Sequence, residues 1–494
     1  MDHGRPDGAP STKRRLGVVT VAIGALLALT ASAFASSNVA LTKVSKDPYT
    51  NTSSYHKTEV EPDTFSFGST IVSVFQVGRF TNGGASNIGW ATSTDNGATW
   101  THGFLPKTTV YATPPGPWDR ISDPAVAYDA KHNVWMAEGL TLTGGTGEDV
   151  IVSRSVDGGL TWKAPVTAAH NPGTFFDKSW IACDDWAASP NYGNCYVEWD
   201  DAGAGDRVEM SRSTDGGKTW ALSNVSGAFG LGGQPVTQPN GTVVVPFYSG
   251  GIQTLVSTDG GKNYSTFSIS SASDHGPAGG IRAAYPLPSA EVDKAGTVYV
   301  VWHDCRFRSG CSSNDIVMST STNGQNWSSV VRIPIDPTNS GVDHFIPGIG
   351  VDTTKSGTSA HLALSYYFYP VANCNTSTCH LKVGYVSSTD GGAHWTSPLT
   401  LAGPMKLTAL PNTTLGYMVG DYISTSILGN GKADTVVANA PKGTCTLGNI
   451  TSCHENMVAP TGGLSVLAGT NAVGRVPVAG AHSDHQHVGL RTAY

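Results

Sequence analysis

Short runs of alternating apolar and polar residues recur along the chain, each broken by a turn rich in Gly, Asn or Asp. The stretch DPAVAYDAKHNVWMAEG (123–139) reads as a strand, a tight turn and a second strand. The same layout recurs in DTFSFGSTIVSVFQVGR (63–79), DKSWIACDDWAASPNYGNCYVEWD (177–200), QPVTQPNGTVVVPFY (234–248) and PSAEVDKAGTVYVVWHD (288–304). Two further copies are PGIGVDTTKSGTSAHLALSYYFYP (347–370) and DYISTSILGNGKADTVVANA (421–440). Alternation with period two gives each strand one core-facing side, and no helical period intervenes. The pattern predicts an all-β chain built from seven repeated units.

Six of the units run into a second repeated element. It reads STDNGATW (93–100), SVDGGLTW (155–162), STDGGKTW (213–220), STDGGKNY (257–264), STNGQNW (321–327) and STDGGAHW (388–395). The hydroxyl and carboxylate of such a turn can hold its own backbone N–H groups, and glycine supplies the positive φ that the turn needs. The closing aromatic is suited to packing between adjacent sheets. A recurrence at roughly 60 residues is the mark of a radial array. Seven blades of four antiparallel strands are favoured, six being the alternative, and residues after about Pro460 are expected to supply the strand that closes the ring.

The S-x-D-x-G-x-x-W turns are similar to the Asp-box, or bacterial neuraminidase repeat, and through them the chain resembles the sialidase/neuraminidase superfamily over about residues 58–460. The resemblance implies a secreted β-propeller of sialidase-like type. Sialidases grip a substrate carboxylate with three arginines and use a Tyr nucleophile paired with a Glu, plus an Asp acid/base. Their Phe/Tyr-Arg-Ile-Pro motif precedes the first Asp-box, and no such motif precedes Asp95 here. The VRIP at 331–334 follows the fifth box, so Arg332 is read as lying outside the site.

Composition narrows the class. With 14% charged residues, 59 glycines and a net charge of −7 in 494 residues, the profile is globular and argues against a nucleic-acid surface. Residues 1–35 read as a secretory signal: Lys13, Arg14 and Arg15 precede an apolar run and small residues at Ala33 and Ala35. An uncleaved anchor is the alternative. Residues 36–57 then form a linker, 58–460 the propeller, and 461–494 a closing strand and tail. The eight cysteines fall into four close pairs, 183/195, 305/311, 374/379 and 445/453, which suits local disulfides in an exported protein better than zinc.

Antiparallel order assigns the chemistry to one face. The start of each inner strand and the exit of the second strand share a face, while the repeated turns lie on the other. Inner strands aligned on one another place Asp63, Asp123, Asp177, Gln234, Leu287, Ile346 and Asp421 around the mouth. These carboxylates suit acid/base work or cation binding, and equally suit capping of the strand starts. Second-strand exits add Arg79, His303, Asp304, Arg306, Tyr366 and Tyr367, and strand starts add Arg120 and Arg282. Four arginines on one face would bind a carboxylated sugar through their forks, unless each pairs with a neighbouring acid. Glu291 falls near a first-to-second-strand turn on the opposite face and is set aside, and the tail HSDHQH (482–487) reads as solvated.

These readings favour an exo-acting, sialidase-like glycoside hydrolase on acidic glycans. Asp123 or Asp304 would be the acid/base, Tyr366 or Tyr367 the nucleophile, and His303 a further acid/base group. Arg79, Arg120, Arg282, Arg306, Asp177 and Asp421 would contact the substrate. No cofactor is required, a structural calcium is compatible, and no nucleic acid or membrane partner is expected. A non-catalytic glycan- or protein-binding propeller and a uronic-acid lyase are the alternatives, the lyase resting on His303 and His344.

Overall fold

The structure, a computed structural model, describes residues 39–283 and 285–474. The export segment and the HSDHQH tail lie outside the described residues. Within them the chain is all-β, interrupted by five short 3-10 turns. No helix among the described residues is long and apolar enough to cross a membrane.

The units form antiparallel sheets in chain order. In the first, Glu59–Phe67 pairs with Thr70–Arg79, then Ala85–Ser93, then Thr101–Phe104. The second runs Arg120–Asp129, Val134–Thr143, Thr146–Ser155 and Val166–His170, and the pair Ala85–Ile121 joins it to the first. Sheets three to six begin with inner strands Phe176–Cys183, Val236–Thr237, Ser289–Val292 and Asp343–Val351. A seventh set is built from short strands, Ser426–Ile427 innermost. Neighbouring inner strands adjoin in sequence order, and Ser426–Ile427 meets both Asp343–Val351 and Glu59–Phe67, so the contacts return to their start.

The closing strand departs from the expectation. Leu41–Lys43, from the N-terminal side, pairs with Asn456–Pro460 and completes the last sheet. The stretch after Pro460 instead runs along other edges, where Asn471–Ala472 pairs with His394–Trp395 and Gly474 bridges to Arg332. The segment 36–57 is therefore more than a linker over its described part. The Val44 N–H donates to the Met457 carbonyl (3.0 Å), and the Ser45 hydroxyl donates to Glu59 (2.7 Å).

Each repeated turn is held as its residues dictate. In the first, the Ser93 hydroxyl donates to Asp95 Oδ1 (2.8 Å), and the N–H groups of Gly97 and Thr99 donate to Ser93 and Asp95 (2.9 and 2.8 Å). The same pattern recurs at Asp157, Asp215, Asp259 and Asp390. Gly97 needs its φ of 77°, and the Trp395 indole tucks back to donate to the Gly392 carbonyl (2.9 Å). All four expected disulfides are present, each closing a short loop or hairpin.

The N-terminal closure is directly testable. Val44→Pro removes the donor to Met457 at a buried position just after the strand Leu41–Lys43 and should lower stability by roughly 2–3 kcal/mol. A denaturant melt of the variant that overlays the parent would show that this segment does not close the sheet.

Candidate functional site

Four inner strands carry the same local distortion. Pairing registers slip between Val60 and Asp63, Ser122 and Ala125, Asp177 and Trp180, and Phe345 and Gly348. At each slip one residue takes a left-handed backbone: Glu61 (φ 54°), Asp123 (48°), Lys178 (42°) and Ile346 (50°). A β-bulge of this kind re-aims a side chain, and a non-glycine at positive φ costs on the order of 1–3 kcal/mol, so the surroundings must hold it there.

The bulges gather a buried ionic cluster at the centre. Lys178 Nζ lies 3.3 Å from Asp123 Oδ1 and 3.8 Å from Glu61 Oε1, and it also hydrogen-bonds Asp421. Arg282 grips Asp421 with two donors, Nε at 2.6 Å from Oδ1 and Nη2 on Oδ2. Gln76 donates to Glu61 and accepts from Arg79 Nη1 (3.0 Å). The Ser179 hydroxyl donates to Glu138 (2.9 Å) behind the cluster. Trp180 and Tyr422 meet edge-on, with centroids 4.9 Å apart, and the Tyr422 hydroxyl donates to the Pro124 carbonyl (3.0 Å).

Above this floor opens a small pocket whose walls include Lys178, Gln234, Tyr285, His303, Asp421 and Tyr422. A second hollow of about 700 Å³ lies further along the inner strands, lined by Asp63, Trp186 and Glu291 among others. Trp180 lines both and separates them. Tyr285 is 42% exposed and leans on Tyr248 (centroids 5.6 Å), an aromatic surface at the rim. His303 is buried in the facing wall, Nε2 3.4 Å from Asp274 Oδ1, and among the described residues its Nδ1 has no hydrogen-bond partner.

Lys178 and Arg282 face three carboxyl groups in the cluster, and Arg79 acts on Glu61 from behind. Glu61 is pushed up to about 8, by burial first and then by Asp123, with Lys178 working against both. Burial also pushes Asp421 up, but Arg282 and Lys178 together reverse this and hold it below the usual carboxylate range. Burial works against the Lys178 ammonium, and Asp123, Asp421 and Glu61 outweigh it, so the pKa stands well above that of a free lysine.

The structure sorts the expected residues into separate groups. Asp123, Asp421 and Arg282 meet in the cluster, and His303 lines the pocket above it. The mouth position expected for Asp177 belongs to Lys178, whose own N–H Asp177 accepts (3.0 Å). Likewise Glu61 takes the place expected for Asp63, which faces the second hollow and accepts from the Val126 N–H (2.8 Å). Asp304 is buried and spent on Arg306 (2.7 Å) and the Trp302 indole (3.1 Å). Tyr367 exchanges hydrogen bonds with the Ala438 backbone, and Tyr366 packs against His344 and Phe368, so neither tyrosine lines the pocket.

The four arginines do not converge. Arg79 is buried on Gln76 and the Gly84 carbonyl, Arg120 lies over Phe80, Arg282 holds Asp421, and Arg306 holds Asp304. Arg332 sits in an outer ion-pair group with Arg308, Asp315 and Asp336. His344 approaches that group, its ring nitrogen 4.0 Å from Asp336. Glu61 and Lys178 are the residues that strand alignment missed. A usable signal for Glu61 was the X-Pro pair near the mouth end of five inner strands, Glu61-Pro62, Asp123-Pro124, Gln234-Pro235, Leu287-Pro288 and Ile346-Pro347, whereas Lys178 precedes a serine and carries no such mark.

No family model matches the chain, and no curated protein matches it. Among solved structures it is similar to a Hadza microbial sialidase, Hz136, at 14% identity and a TM-score of 0.43, over 82% of this chain and 65% of that one. The chain thus spans just under two thirds of that sialidase. It is also similar to the NanB sialidase of Streptococcus pneumoniae (12% identity, TM-score 0.43, 87% and 71% covered). A third similar structure is a protein of unknown function from Dyadobacter fermentans (18% identity, TM-score 0.44, 70% and 98% covered). The chemistry of the pocket rests on this chain's own residues.

Buried acids give stability a defined pH dependence. Folding raises Glu61 and Glu59 from 4.5 to about 8, mainly by burial. Between those values the unfolded chain releases protons that the folded protein keeps, so stability falls as pH rises. The turn aspartates Asp95 and Asp215 are lowered from 3.8 to about 2, so their contribution is present above 3.8 and lost toward pH 2. The melting temperature should peak at roughly pH 4–5 and fall by several degrees toward pH 8.5, less steeply in Glu61→Gln. A Tm that climbs steadily to pH 8.5 would contradict this.

Proposed function

We propose that this protein is a carbohydrate-active, sialidase-like propeller that hydrolyses a glycosidic bond in the central pocket. One observation carries the reading: acid–base groups on two walls, the Lys178–Asp421 pair and His303, face one small opening beside an exposed tyrosine. Enclosure, an aromatic rim and a few convergent polar groups are what a sugar ring requires. Tyr285 offers its face to the ring, while Gln234 and Ser179 supply hydrogen-bonding groups at the wall.

In this reading His303, steadied by Asp274, gives a proton to the departing glycosidic oxygen. The Asp421 carboxylate, kept ionised by Arg282 and Lys178, stabilises positive charge developing at the anomeric carbon. Water then adds its oxygen to that carbon and returns a proton to His303, so the chemistry closes. Glu61 and Asp123 lie behind Lys178, outside the pocket lining, and act by fixing its charge and position. Since Arg282 is committed to Asp421 and Arg306 to Asp304, the terminal sugar in this pocket needs no carboxylate of its own.

The competing reading is a glycan-binding propeller without catalysis, favoured by the internal pairing of the ionic cluster. Release of reducing ends from a glycan panel separates the two. His303→Asn should lower kcat/KM by about 100-fold or more while retaining glycan binding. Tyr366→Phe should stay within about threefold of the parent, since that side chain does not reach the pocket. Glycan binding with no bond cleavage by the parent protein would establish the non-catalytic reading instead.

A further inference from the structure

A groove of about 900 Å³ lies apart from the central pocket, where the first sheet meets the start of the second. Its lining includes Phe80, Val110, Tyr111, Asp119, Arg120 and Phe175. The Arg120 guanidinium carbon sits 4.2 Å from the Phe80 ring centroid. One nitrogen, Nη1, is held by Asn82 Oδ1 (2.7 Å) and the Gly83 carbonyl (3.1 Å). Among the described residues, Nε and Nη2 of Arg120 have no hydrogen-bond partner. The guanidinium is thus fixed in place with one edge of its fork open.

Arg120 has no ion pair of its own among the described residues. Arg207, Arg282, Arg306, Arg308 and Arg332 each pair with a carboxylate. Among the described residues, Arg79, Arg120, Arg154 and Arg212 have no such ion pair, and of these Arg120 lines the groove. Asp119 is the neighbouring acid, and its Oδ2 accepts from the Gly144 N–H (3.0 Å). Arg120 is thus a cation of the groove lining with an open edge, facing Asp119 and lying beside the rings of Tyr111 and Phe175.

We propose that this groove is a separate subsite for a sugar bearing an oxyanion, with Arg120 binding the anion and Tyr111 packing against the ring. The proposal rests on the glycan reading of the central pocket. It moves any acidic sugar of the substrate out of that pocket and onto the rim. Arg79, one step behind Arg120, reaches the central cluster through Gln76 and Glu61.

Calorimetric titration of the full protein at low and moderate salt tests it, with a glucuronate-terminated disaccharide, a sulfated galactoside, their neutral counterparts and inorganic sulfate as ligands. The expected result is at least tenfold tighter binding of the charged sugars than the neutral ones, weakened by salt. Arg120→Ala should abolish that preference, Arg120→Lys should recover only part of it, and His303→Asn should leave it intact. Tyr111→Ala should weaken charged and neutral sugars alike. Equal binding of charged and neutral sugars, or a preference that survives Arg120→Ala, would overturn the proposal. A preference lost only in His303→Asn would place the anion in the central pocket and likewise overturn it. Inorganic sulfate binding as tightly as the sulfated sugar would reduce the groove to a plain anion site. Loss of hydrolysis in His303→Asn with no charge preference in the parent would remove the subsite and leave the central reading standing.

Discussion

An ammonium group cannot be buried alone, and the centre of this molecule is organised around that constraint. Taking Lys178 out of water costs several kcal/mol unless anions replace its hydration. Asp123 from the second sheet and Asp421 from the segment that leads into the last supply them, and Glu61 from the first sheet, pushed up to about 8, stands 3.8 Å away as a further carboxyl partner. Arg282 then holds Asp421 from a fourth direction. Glu61, Asp123 and Lys178 sit at the bulges of their strands, and the strained backbone there is held by the pairing it makes possible.

The two ends of the sheets therefore do different work. At one end the Ser–Asp–Gly turns bond almost wholly within themselves, and their aspartates are stabilised as anions by local donors. At the other end the carboxyl partners of Lys178 all lie outside its own sheet. Self-sufficient turns can be copied from unit to unit without reference to their neighbours. The mouth cannot be copied, and the bulge position that holds Glu61, Asp123 and Lys178 holds Ile346 in the sixth sheet.

That contrast explains what the sequence disclosed. Turns, hairpins and disulfides follow from residues a few positions apart, so their alternation, glycines and cysteine spacing could be read directly. Asp123, Asp421 and His303 were placed near the centre because antiparallel order decides which end of a strand faces the mouth. Glu61 and Lys178 were missed because a bulge adds a residue and shifts the frame, by two positions in the first sheet and one in the third. The arginines were grouped by face, but ion pairing is set by contacts such as Arg282 with Asp421, 139 residues apart. Tyr366 and Tyr367 fell at the right strand end, yet Tyr366 packs on His344 within its own sheet and Tyr367 bonds the Ala438 backbone of the next.

The strand that completes the last sheet is among the first stretches of the fold to be synthesised, and the Met457 N–H that binds Ser45 lies 412 residues downstream. Throughout synthesis the early strand has an exposed edge and no mate. Joining such distant segments carries a loop-closure entropy cost that nearby contacts do not repay in advance. The circle is thus sealed late, by the two segments with the longest wait between them. Before that moment the earlier sheets have an open side, and the pocket lacks Asp421 and Tyr422, which arrive with the last sheet. A half-made chain therefore has no finished centre with which to act.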